Sequence, residues 1–98
     1  MSRTVDFRTI ARLEFDEAMT WYEVHRPGLG LEFKEQVDQL VAHIAENPEH
    51  FPKVRGQIRR AILRRFPYTI HFLPEPGRIN VLAVFHGKRD PRHLQGRS

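Results

Sequence analysis

Phe66-Pro67-Tyr68-Thr69-Ile70-His71-Phe72-Leu73-Pro74-Glu75-Pro76-Gly77-Arg78-Ile79-Asn80-Val81-Leu82-Ala83-Val84-Phe85 is the stretch whose periodicity decides the fold. From Phe66 to Leu73 the side chains alternate, with Phe66, Tyr68, Ile70 and Phe72 on one parity, as in a half-buried strand. His71 falls on the other parity and is expected to be exposed. Pro74-Glu75-Pro76-Gly77 supplies a turn. Ile79 to Phe85 is apolar on both parities (Ile79, Val81, Ala83 and Phe85; Leu82 and Val84), the pattern of a central strand covered on both sides. Pro67 has no N–H to give a ladder and suits a strand start or edge.

Upstream, Gln57 to Arg65 reads as a further, basic strand, with Ile58 and Ile62 on one parity and Ala61 and Leu63 on the other. Glu49 to Gly56 reads as a loop punctuated by Pro48 and Pro52. Before it the period becomes helical. Phe33, Val37, Leu40, Val41 and Ile44 form one stripe, closed by Asn47-Pro48; Ala11, Phe15, Ala18, Met19 and Tyr22 form another, ended by Pro27-Gly28. Tyr22 is expected at the core, while its neighbour Trp21 either flanks the core or marks an exposed partner or dimer contact. Val5 to Ile10 reads as an opening strand. The order is β-α-α-β-β-β, an α+β fold with a helix hairpin packed on one face of a mainly antiparallel sheet.

Ninety-eight residues, 40% of them hydrophobic, make a single domain over 1–98 with a basic tail from about 87 to 98. The charge is unevenly placed. Residues 53–98 hold eleven Lys or Arg against two acids, while residues 1–52 hold five against ten. An acidic hairpin therefore carries a basic, strand-rich half, which suits an anionic partner such as nucleic acid or an acidic protein segment. With no cysteine, disulfides, thiolate nucleophiles and Cys-based metal sites are excluded. The six histidines show no ligand spacing, so neither metal nor cofactor is expected. The apolar runs are too short to span a bilayer, and the first residues lack a secretory signal, so a cytoplasmic protein is expected.

Several strings, in this order and spacing, resemble the RelE/ParE superfamily of type II toxin–antitoxin toxins, the ParE-like branch especially. They are Glu17-Ala18-Met19-Thr20-Trp21-Tyr22-Glu23, Arg26-Pro27-Gly28-Leu29-Gly30, Asn47-Pro48 with Phe51-Pro52, Arg59-Arg60, Arg65-Phe66-Pro67-Tyr68, Val81-Leu82-Ala83-Val84 and His86-Gly87-Lys88-Arg89-Asp90-Pro91. The resemblance covers about residues 5–92. It implies a toxin held in a hetero-oligomer by a cognate antitoxin whose C-terminal segment wraps and neutralises it. RelE-like members cleave mRNA on the ribosome; ParE-like members poison DNA gyrase.

Ribonuclease chemistry needs a base for the 2′-hydroxyl, an acid for the leaving oxygen and cations around the phosphorane. Arg89 takes the place of the RelE-like C-terminal arginine, but no tyrosine follows Tyr68. The resemblance therefore favours a gyrase inhibitor without bond-making chemistry, with Arg65, Lys88, Arg89 and Arg92 facing the target. Trp21, Arg59 and Arg64 are the candidates for antitoxin contact. In the alternative, Arg60, Arg65 and Arg89 clamp a phosphate and His86 (or His93) serves as acid or base. A third reading is a toxin fold kept only as a binding module. Against all of these, the strand arginines can equally be a solvated face or pair with the acidic helices.

Overall fold

The computed structural model describes residues 3–87. The elements are β1 (Thr4–Phe7), α1 (Thr9–His25), α2 (Leu29–Glu46), a 3₁₀ turn (Pro48–His50), β2 (Lys53–Arg55), β3 (Ile58–Ile62), β4 (Tyr68–Glu75) and β5 (Arg78–His86). They form one sheet in the order β1-β5-β4-β3-β2, antiparallel except for β1, which lies parallel to β5. The helix hairpin covers one face, and Phe15, Tyr22, Phe33, Val37 and Ile44 meet Ile70, Phe72, Ile79, Val81 and Val84 in a single core. Tyr22, Phe33, Phe66 and Tyr68 interlock at its centre with ring centroids 4.9–6.1 Å apart. The α+β architecture expected from periodicity is the one observed.

Four details differ from the expectation. Ile10 belongs to α1 and not to the opening strand, because β1 ends at Phe7 and the Arg8 N–H closes on the Val81 carbonyl at 2.9 Å. The expected loop 49–56 contains β2, a three-residue edge strand with no buried position and therefore no periodic signal. The turn is tighter than four residues: Pro74 and Glu75 stay in β4, leaving Pro76-Gly77, with Gly77 at φ 73°, in the pattern of a type II turn. Lastly, the double-parity apolarity of β5 is partly a change of register. Phe72 pairs with Val81 but His71 pairs with Ala83, so Leu82 is an extra residue. Ile79, Val81 and then Val84 consequently enter the helix-side core, while Ala83 stays out of it.

Two carboxylates of α1 fasten this frame. Where β1 stops, the outer edge of β5 is left open, and Glu14 Oε1 accepts the Val84 N–H at 2.9 Å. Glu23 accepts the N–H of Gly28 at 2.9 Å and of Gly30 at 3.0 Å, capping the start of α2 with a negative charge. Gly28 reaches this cap at φ 90°. Gly30 lets the helices approach so closely that a Cβ there would lie 2.7 Å from the Met19 carbonyl.

Candidate functional site

The strand register sorts the candidate residues by face. Alternating with the core residues Ala61, Ile70 and Phe72, the face turned away from the helices carries Arg60 beside His71 beside Ala83, and Ile62 beside Thr69 beside Phe85. His71 is buried, contrary to its expected exposure, because Phe85 packs edge-on against its ring at 4.9 Å and Arg60 flanks it. Burial, and secondarily the Arg60 charge, holds the His71 pKa below the usual imidazole range. Arg60 itself is exposed and makes no ion pair among the described residues.

His86 lies elsewhere. It pairs across the ladder with Tyr68 and packs edge-on against that ring at 5.3 Å. The Arg60–His71–Ala83 row is three residues back along β5, roughly 10 Å at about 3.3 Å per residue. Arg65 is turned the other way, its Nη2 donating to Glu32 Oε1 of α2 at 2.9 Å. Glu32 also meets Arg26 at 3.4 Å, and the Arg65 hydrogen bond leads in pulling its carboxyl below the usual carboxylate range. Arg60 thus lies on the open sheet face, His86 at the end of β5 and Arg65 against α2. Lys88, Arg89, Arg92 and His93 lie outside the described residues.

The three residues named for antitoxin contact occupy different places. Arg59 is half-buried and committed to the backbone, donating from Nη1 to the Phe51 carbonyl at 2.6 Å. Arg64 is exposed at a groove between α2 and β3, whose floor and walls include Leu40, His43, Phe51, Ile62 and Leu63. This groove opens where β2 has ended: Arg60 N–H still meets the Pro52 carbonyl at 3.0 Å, but β2 pairs no further than Arg59. Ile62, 58% exposed, sits at that free edge. Trp21 is on the outer surface of α1, 55% exposed, and the adjacent Tyr22 is in the core as expected. It borders a different depression, lined by α1 alone.

Sequence reasoning overlooked the groove because its residues come from three separate segments, α2, Phe51 and the end of β3. It overlooked His71 as a neighbour of Arg60, although the two share a parity once the β3–β4 register is known. Among the described residues no helix is long and apolar enough to cross a membrane.

The geometry can be set beside known proteins. A family model described as the ParE toxin of the type II toxin–antitoxin system parDE matches residues 5–91. A structure of the chromosomal ParDE system from P. aeruginosa superposes with TM-score 0.73 at 16% identity, over 87% of this chain and 96% of that one. The isolated E. coli RelE toxin gives TM-score 0.67 at 20% identity, over 97% and 95%. The RelBE2 toxin–antitoxin complex from Mycobacterium tuberculosis gives 0.62 at 16%, over 88% and 99%. No curated protein matches the sequence significantly.

Proposed function

Since this chain belongs to the family of ParE toxins of type II toxin–antitoxin systems, we propose that it arrests growth by inhibiting DNA gyrase and is neutralised by a cognate antitoxin in the cytoplasm. The observation that carries this reading is the ParE match over residues 5–91. General acid–base catalysis requires groups converging within hydrogen-bond reach of one reacting centre, and the missing tyrosine after Tyr68 takes away one such group. A surface inhibitor needs no such convergence. In this reading Arg65, Lys88, Arg89 and Arg92 meet the target.

The antitoxin segment, acidic and amphipathic, lies in the α2–β3 groove of the hetero-oligomer. Leu40, Phe51 and Ile62 accept its apolar side chains there, Arg64 pairs with its carboxylates, and the free edge of β3 accepts a strand. The test is gyrase supercoiling of relaxed plasmid: the purified toxin blocks it, and stoichiometric antitoxin restores it. Unchanged supercoiling at saturating toxin overturns the gyrase reading.

A second reading, ribosome-dependent mRNA cleavage, is favoured by one observation, the exposed Arg60 beside His71 on the open sheet face. Primer extension on ribosome-bound mRNA would then show codon-specific cuts that vanish in Arg89→Ala.

A further inference from the structure

The face of α1 turned away from the core carries a second apolar stripe. Ile10, Leu13, Trp21 and Val24 recur at helical spacing, and all are exposed, Val24 to 76%. Side chains of that kind gathered on one helix face, and not scattered, mark a contact surface. The depression bordered by Leu13, Trp21 and Val24 is lined also by Thr20, His25 and two carboxylates, Asp16 and Glu17, with no Lys or Arg. Asp16 meets Arg12 at 3.5 Å, whereas Glu17 makes no hydrogen bond or ion pair among the described residues. Trp21 is already held in place: its ring stacks on His25 at 3.8 Å, and His25 Nδ1 lies 2.7 Å from the Trp21 carbonyl. A rigid, half-exposed tryptophan of this kind loses little conformational freedom when it is covered, which is what an interface anchor requires.

Charge separates this surface from the α2–β3 groove. The groove has one arginine, Arg64, and no carboxylate; the α1 depression is lined by two carboxylates, of which Asp16 already meets Arg12, and by no Lys or Arg. An acidic segment suited to the first is repelled by the second. We propose that the outer face of α1 is a docking surface for a different protein partner, an amphipathic helix whose apolar stripe is flanked by Lys and Arg. The apolar residues of that helix cover Leu13, Trp21 and Val24, and its cations meet Glu17 and Asp16.

Trp21 is the only tryptophan of the chain, so its emission reports on this surface directly. The probe is a synthetic helical peptide with a leucine stripe flanked by lysines, titrated into the full chain alongside a copy with glutamates in place of the lysines. The lysine peptide is expected to blue-shift Trp21 emission saturably, and the glutamate peptide to bind at least tenfold more weakly. Glu17→Lys should reverse that preference, and Leu13→Ser should weaken the lysine peptide about tenfold without altering the circular dichroism. Equal binding of both peptides, or indifference to both substitutions, overturns the proposal. Emission that changes when the chain alone is diluted would assign the face to a second copy, and displacement of the peptide by bound antitoxin would assign it to the antitoxin. Either outcome overturns the proposal as well.

Discussion

Gly30→Ala places a methyl group where the helix hairpin is narrowest. The new Cβ would lie 2.7 Å from the Met19 carbonyl oxygen and 2.9 Å from both Cβ and Oε1 of Glu23. The carbonyl belongs to α1 itself and cannot swing aside, so the helices must separate or slide. Glu23, which caps Gly28 and Gly30, is displaced with them. Forcing an extra carbon into a packed contact costs about 1–3 kcal/mol, and loss of the cap adds about 1 kcal/mol. Opposing this, alanine is better than glycine in a helix by about 1 kcal/mol. Sterics win by roughly 1–3 kcal/mol, which for a domain near 100 residues lowers Tm by about 5–15 °C. Thermal unfolding followed by circular dichroism measures it. A variant as stable as the parent, or more stable, would refute the close approach of α1 to α2 on which the hairpin geometry rests.

Glu23→Ala should cost about 0.5–2 kcal/mol by uncapping α2, read as a lower urea midpoint with unchanged slope. The Glu32 carboxyl, lowered chiefly by its Arg65 hydrogen bond, should titrate below the usual glutamate range by NMR. Its stabilising contribution is present above that range and fades as pH falls through the lowered value, and Arg65→Ala should move the titration back up. His71, lowered by burial and then by Arg60, should stay neutral in the folded chain at a pH where the unfolded chain has already bound the proton. Stability therefore falls as pH drops below the ordinary imidazole range, and Arg60→Ala should raise the ring's pKa in an NMR titration.

The hairpin and the three longer strands were legible because each buries a periodic set of apolar side chains, and the same stripe placed Tyr22 in the core. Features that depend on register or on distant partners were not. One extra residue, Leu82, moves Val84 to the helix side, and no local pattern distinguishes that from a strand covered on both faces. Glu14 and Glu23 lie off the apolar stripe of α1, yet Glu14 accepts the Val84 N–H of β5 and Glu23 those of Gly28 and Gly30, contacts that no periodicity signals. His71 was expected outside for the same reason: alternation gives a face but not what covers it. The basic half shows the same division. Its charge was visible in the composition, but only the folded chain separates Arg59, spent on the Phe51 carbonyl, and Arg65, paired with Glu32, from Arg60 and Arg64, which make no ion pair among the described residues.

The proposed mode of action is inhibition of gyrase through a surface, without cleavage of RNA. It is tested most directly by one dose series of purified toxin, applied in parallel to gyrase supercoiling of relaxed plasmid and to ribosomes programmed with mRNA. Loss of supercoiling with the mRNA intact is the expected result. Full supercoiling together with codon-specific mRNA cuts would contradict it.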